Sequence, residues 1–462
     1  MRRLAALFAT ALGATATAAP TLAMNGHLPS EGDCAAMETL GARAVRMDFN
    51  WFQFNPTQGN FDWAIFDSAV QSANNHHLGV YATVAYTPQW ASSAAGCTQS
   101  SADANATCNN KLPANTADWT NAITETVTRY KRKVECWGIW NEPNLGTFFA
   151  GSEDQFVNQI FIPAATAIRA ADPAAKICGP ELSGLTASSS WNGKKGQCIG
   201  SSCIRNGWEL DLGDLLDKVG NQIDIVTQHT YQSDATGVVT FLLDGSSVAG
   251  VLTHDSVRDV LTKHGAANKE FWLTESGWEH TPQGSLAPAD VATRAVDLFN
   301  KQEQVCAGTY SGSTNVPWKN WARTYYYHFP FDPNSGWGIV GMNDSPLPAY
   351  TQLQAWASGR TTSACGPAAV IPDMGSSSDL SVTTPADAAV VAAADLSTSA
   401  QPTDMQTGWN ALEMLSLPEG VDTAPGCGCR VARATPRDGH LPWMILVALL
   451  AVAAVRRRRA RP

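Results

Sequence analysis

At 462 residues the chain is long enough for one large barrel with length to spare or for two ordinary domains. A 44% hydrophobic fraction supports a sizeable core, while a net charge of −10 argues against nucleic acid as a partner and gives no sign of a basic groove for phosphates. Sixteen Trp exceed ordinary usage, and a surplus of Trp suits a protein that stacks rings on the apolar faces of sugars.

Residues 1–19 read as a signal peptide: Arg2-Arg3, an apolar stretch from Leu4 to Leu12, then small residues ending in Thr17-Ala18-Ala19. Cleavage is expected at Ala18 or Ala19, because the first strand begins at Leu22. From 22 to 360 short apolar runs alternate with amphipathic stretches, the pattern of parallel strands joined by helices. Strands are expected at 22–27, 43–49, 79–86, 133–140, 176–182, 222–229, 269–275 and 321–328. Between them, Trp63, Phe66, Val70 and Ala73 mark one helix face, and Trp119, Ile123, Val127 and Tyr130 another. Eight strands with eight following helices, the last near 347–358, predict a closed (β/α)8 TIM barrel over 20–365. An open doubly wound sheet is the competing architecture, and no Gly-rich phosphate loop follows the first strand to favour it.

Two strings carry the chemistry. Trp140-Asn141-Glu142-Pro143 and Trp272-Leu273-Thr274-Glu275-Ser276-Gly277-Trp278 each set a glutamate at the end of an apolar run, on the fourth and seventh strands. They lie about 130 residues apart, roughly half of a barrel of typical length. Both carboxylates therefore face one cleft at the C-terminal end of the strands. Two carboxylates across a cleft are what glycosidic cleavage needs, one to protonate the leaving oxygen and one to attack the anomeric carbon. Glu142 is expected as the acid/base and Glu275 as the nucleophile. An apolar wall such as Trp137 or Trp140 is expected beside Glu142, and Asn141 is placed to bond the sugar 2-hydroxyl. Arg46 at the end of the second strand, His229 at the end of the sixth and Tyr231 just past it are candidates to orient Glu275. Each is an ordinary strand-end residue alone; together they fall on the catalytic face of one barrel. No zinc pattern is present among the Cys residues and no cofactor is implied, since two carboxylates suffice.

Three long connections, 87–114, 183–208 and 329–346, crown that face. Cys97 with Cys108 and Cys198 with Cys203 each close a short loop and are expected as disulfides. Cys306 and Cys365 are expected near each other and could pair, or Cys34 could take either one; Cys136 and Cys178 read as buried thiols.

On these motifs the chain resembles the clan of retaining (β/α)8 glycoside hydrolases whose acid/base is the Glu of an Asn-Glu pair on strand four and whose nucleophile is a Glu on strand seven. Trp137-Gly138-Ile139-Trp140-Asn141-Glu142-Pro143-Asn144, Arg46-Met47-Asp48-Phe49-Asn50-Trp51, Tyr86-Thr87-Pro88-Gln89-Trp90 and Pro346-Leu347-Pro348-Ala349-Tyr350 are most similar to family 39. Family 5 comes next, through His229-Thr230-Tyr231. The chain departs from family 5 in having Tyr86 where a strand-three His is expected and Tyr325-Tyr326-Tyr327-His328 where a Trp would end strand eight. Trp337, in the loop beyond, is the candidate for the missing sugar platform, with Tyr86, Trp90 and Trp278 as further substrate-binding candidates. The resemblance implies a β-linked oligo- or polysaccharide as substrate.

After Cys365 the composition shifts. Residues 366–425, rich in Ala, Ser, Thr, Pro and Asp, are expected to be a flexible stalk. Residues 426–462 hold Gly426-Cys427-Gly428-Cys429, an apolar run Leu441–Val455 and the cluster Arg456-Arg457-Arg458-Arg459-Ala460-Arg461. The run is short for a permanent span. The whole resembles the tripartite sorting tail of myxobacterial-type surface proteins, which implies cutting near the Cys motif and a protein held at the bacterial cell surface.

Overall fold

The structure, a computed structural model, describes residues 21–366 except 99–106, 186–190, 192–196, 200–201, 249–250, 282–283, 313–316, 331–335 and 342. The signal peptide, the stalk and the sorting tail lie outside the described residues. Eight parallel strands close a barrel in the order 1-8-7-6-5-4-3-2. They are β1 (Leu22–His27), β2 (Ala44–Asn50), β3 (Gly79–Ala85), β4 (Cys136–Ile139), β5 (Ile177–Ser183), β6 (Ile225–His229), β7 (Glu270–Ser276) and β8 (Trp321–Tyr326). Each matches an expected strand to within a few residues. The alternation of strands and helices leaves this closed barrel as the architecture, not the open sheet.

The helices cover the outside with the faces read from the sequence. Helix Thr116–Arg129 starts where the Asn115 side chain accepts from the Ala117 amide, and it buries Trp119, Ile123 and Val127. Helix Ala64–Asn75 buries Phe66, Val70 and Ala73, and Trp63 stands at its N-cap. The last helix, Pro348–Ala357, begins with proline, whose missing N–H costs nothing in a first turn.

Inside the barrel each strand contributes one residue to a single buried cluster: Ala23, Ala44, Tyr81, Cys136, Cys178, Ile225, Trp272 and Tyr325. At the bottom, Arg323 pairs with Glu135 at 2.8 Å and lies over the Trp272 ring, 4.4 Å from its centroid. These residues form the floor beneath the cleft.

The disulfides correct one expectation. Cys136 and Cys178 are not thiols: they are bonded to each other across β4 and β5, with Cα atoms 5.9 Å apart. Both apolar runs look like ordinary buried strand, and only the pairing of the two strands and their common inward face bring the sulfurs together. Cys97–Cys108 closes its loop as expected. Cys306 pairs with Cys365, and Cys34 is left as a buried free cysteine. Two short antiparallel hairpins were not foreseen, Gln197–Ile199 with Ser202–Arg205 and Ser246–Val248 with Val251–His254. The first sets Cys198 opposite Cys203. The expected Cys198–Cys203 bond itself lies outside the described side chains.

No helix among the described residues is long and apolar enough to cross a membrane. Leu441–Val455 lies outside them.

Candidate active site

The C-terminal ends of the strands bring the two expected glutamates together. Glu142 stands three residues beyond β4 and is 1% exposed; Glu275 lies within β7 and is 5% exposed. His229, ending β6, sits between them. Its Nδ1 is 3.0 Å from Glu142 Oε1 and 3.5 Å from Glu275 Oε2. One oxygen of each glutamate and the imidazole nitrogen all lie within 4.8 Å of one another.

Arg46 organises the other side. It is the third residue of β2 and not its end, so the expected position is corrected; the long guanidinium stem carries its charge up into the cleft. Nη1 donates to Glu275 Oε1 at 2.8 Å and to Asn25 Oδ1 at 3.1 Å. Nη2 donates to Asn141 Oδ1 at 2.7 Å and to Glu181 Oε2 at 2.8 Å. Tyr231, past β6, donates its hydroxyl to Glu275 Oε2 at 2.6 Å. Each Glu275 oxygen thus accepts from its own donor. Glu142 differs: its Oε2 is buried and makes no hydrogen bond within the described protein.

Glu181, the fifth residue of β5, was not among the residues expected from the sequence. It is fully buried and takes the Arg46 guanidinium on one oxygen and the Tyr81 hydroxyl on the other. His229 Nε2 lies 3.4 Å away. Its signal was a carboxylate inside the strand expected at 176–182 and not at its end. The Tyr81 hydroxyl has room to reach it because β4 carries glycine: a Cβ at Gly138 would stand 2.9 Å from that hydroxyl.

Backbone conformation sharpens the cluster. Tyr86, Trp140, Glu142 and Glu181 have φ of 73°, 70°, 40° and 59°, the left-handed region that side chains ordinarily avoid. All four lie within three residues of the C-terminal ends of β3, β4 and β5. Such residues cost about 1–3 kcal/mol each and persist only where their surroundings hold them. The holding contacts are visible. Asn144 of the Asn-Glu-Pro-Asn string donates to Ser183 O at 3.0 Å and accepts from Ser183 N at 2.9 Å. The Glu142 amide donates to Glu181 O at 2.9 Å. Gly277, after Glu275-Ser276, passes so close to the Tyr327 carbonyl that no Cβ fits there.

The charges are coupled. Burial pulls the His229 imidazole down, but Glu275 and its contacts with Glu142 and Glu181 outweigh it and push its pKa to about 10. Burial likewise works against ionised Glu181, yet Arg46 and His229 hold its carboxyl below the usual range. Burial raises Glu275 above that range and nearby Glu142 adds to it, with His229, Arg46 and Tyr231 opposing. Glu142, His229 and Glu275 offer enough ligand atoms for a cation. The guanidinium already bonded to Glu275 and the protonation of His229 oppose that use.

The aromatic candidates divide. Trp337 is mostly buried and packs edge-on against Tyr231, 5.3 Å between centroids, and against Tyr327 at 5.2 Å, so it walls the Glu275 side. Tyr86 lies against Trp140 at 5.7 Å and bonds Asn141, on the Glu142 side. Trp140 is fully buried with its Nε1 donating to Phe148 O at 2.9 Å. Trp137 turns outward against Phe49, 5.9 Å away, and so does not wall Glu142. Trp90 and Trp278 are anchored by their indole N–H groups, to Asn55 O at 2.8 Å and Gln232 O at 2.7 Å. Their described contacts do not include the carboxylates.

The family model of glycosyl hydrolases family 39 matches residues 60–360. Three solved structures share the barrel at a TM-score of 0.50. One is a family 39 glycoside hydrolase from the gut symbiont Bacteroides cellulosilyticus WH2, 14% identical, with 75% of this chain and 65% of that one covered. Another is a glucosidase from Croceicoccus marinus, 16% identical over 75% of this chain and 68% of that one. The third is a family 39 β-xylosidase from Caulobacter crescentus, 17% identical over 73% and 72%. At these identities they establish the shared fold, and the chain spans about two thirds of their length.

Proposed function

The chain belongs to glycosyl hydrolases family 39, and from that premise we propose that it cleaves a β-linked oligo- or polysaccharide with retention, by double displacement. Glu275 is the nucleophile. Both its oxygens accept from donors, Arg46 and Tyr231, which favours the ionised form and aims it. Glu142 is the acid/base: its unbonded Oε2 is the atom available to give a proton to the leaving oxygen and later to take one from water.

The observation that carries the reading is the spacing. One oxygen of Glu142 and one of Glu275 lie within 4.8 Å, which favours the short carboxyl separation of about 5–5.5 Å of retaining enzymes over the roughly 6.5–9.5 Å of inverting ones. In the first step Glu275 attacks the anomeric carbon as Glu142 protonates the departing oxygen. In the second, Glu142 deprotonates a water that attacks the glycosyl–Glu275 ester and restores both groups. Arg46 and Tyr231 orient the nucleophile, Asn141 faces the 2-hydroxyl, and Trp337 and Tyr86 wall the ring.

In this reading the protein is exported and held at the bacterial cell surface by its tail. Three disulfides within the described residues support an oxidising compartment. The test is a panel of aryl β-glycosides and β-linked polysaccharides, on which the wild-type chain releases product and the Glu275→Ala chain does not. Release by both would refute the assignment of Glu275.

A further inference from the structure

Asp48 stands two residues beyond Arg46 on β2. Side chains alternate along a strand, so the two share the inward face and Asp48 is one layer nearer the mouth. Its Oδ2 lies 2.7 Å from Nδ1 of His27, which ends β1 with φ of 55°. Their side chains are 28% and 32% exposed, against 4% for Arg46, so this pair is more open to solvent than the catalytic cluster beneath it. Neighbouring walls are His328, two residues past β8, its ring 5.1 Å from that of His27, and Tyr327, 6.0 Å away. Burial keeps His328 neutral, so it does not compete with His27 for the Asp48 charge.

The catalytic groups described above come from the ends of β4 to β7, with Asn141 and Tyr86 leading from Glu142 toward β2. A sugar whose anomeric carbon lies between Glu142 and Glu275, with its 2-hydroxyl at Asn141, extends the rest of its ring over β1 and β2. There the His27–Asp48 pair has a second carboxylate oxygen to accept and a second imidazole nitrogen to donate or accept, a match for two adjacent hydroxyls.

We propose that His27 and Asp48 clamp the two ring hydroxyls farthest from the anomeric carbon, and so make the enzyme selective for a neutral pyranoside with free 3- and 4-hydroxyls. This rests on the glycosidase reading above. A hydrogen bond to a charged acceptor contributes enough that deleting the sugar hydroxyl, or the carboxylate, should cost about 10- to 100-fold in kcat/KM. The two deletions should not add, because each removes the same bond.

The experiment takes the best aryl β-glycoside of the panel together with its 3-deoxy and 4-deoxy analogues. The wild-type chain, Asp48→Ala, Asp48→Asn and His27→Ala are compared on all three. The clamp predicts that Asp48→Ala loses about 10- to 100-fold on the parent glycoside and almost nothing further on at least one deoxy analogue. Asp48→Asn, which keeps the shape, should show the same selectivity with a smaller loss. Equal proportional losses on parent and deoxy substrates, or no loss, would overturn the clamp alone and leave the pair a structural one. No turnover of any parent glycoside by the wild-type chain would sink the glycosidase reading, and the clamp with it.

Discussion

Arg46 and Glu181 form a buried ion pair of 2.8 Å, both side chains almost wholly excluded from solvent. The pair joins β2 to β5 and holds the guanidinium whose other nitrogen grips Glu275. Removing one partner of such a pair leaves an uncompensated buried charge, a loss of about 3–5 kcal/mol. Glu181→Ala should therefore lower the unfolding midpoint strongly. Glu181→Gln, which keeps a hydrogen-bonding shape, should fold and yet lose kcat, because Arg46 is no longer held between two carboxylates. A Glu181→Gln protein with unchanged stability and kcat would show that Arg46 needs no second anchor.

His229 gives stability a pH dependence with a definite sign. Its pKa is raised in the fold, from an ordinary 6.5 to about 10. The stabilisation is thus fully present below about pH 6.5 and is lost as pH rises toward 10. His229→Gln should be destabilising near pH 6, and its deficit against wild type should shrink by pH 10. Thermal unfolding at both values reads it. A deficit independent of pH would mean that His229 is neutral in the fold.

Glu142→Ala should divide substrates by leaving group. An activated aryl group departs with little protonation, so its glycosylation step should survive far better than that of a natural sugar leaving group. Parallel kcat/KM measurements on both classes test this. Equal losses would point to disrupted folding or to another acid.

The tail is expected to be dispensable for catalysis and required for location. The described domain ends with Cys365 bonded to Cys306 and the Gly366 amide donating to Lys319 O, so its last residues are tied to the barrel. A chain truncated after Gly366 should be active and should appear in the medium instead of on cells. Cys427→Ala should keep the Leu441–Val455 segment and run as a longer chain; unchanged mass at the cell surface would make that segment a plain anchor.

The barrel was legible because each strand is an apolar run and each helix shows one apolar face. Glu142 and Glu275 were legible because a carboxylate ending such a run has one side of the barrel to face. Glu181 lies inside the strand expected at 176–182 and not at its end, so it did not stand out as the other two glutamates do. What the sequence could not supply is register. The Cys136–Cys178 bond depends on which residues of β4 and β5 lie side by side, and Arg46 reaches the cleft from within its strand by side-chain length. Trp137 alternates outward, so its place beside Glu142 in sequence does not make it a wall of the site.

The central claim is that Glu142 and Glu275 act by double displacement, and the configuration of the first-formed product tests it most directly. Hydrolysis of an aryl β-glycoside followed by proton NMR, before mutarotation erases the record, should show the β-anomer appearing first. In Glu275→Ala, azide small enough to occupy the vacated space should restore turnover and give the α-glycosyl azide. An α-anomer released first by the wild-type enzyme would contradict the account, because Glu275 could not then be the nucleophile.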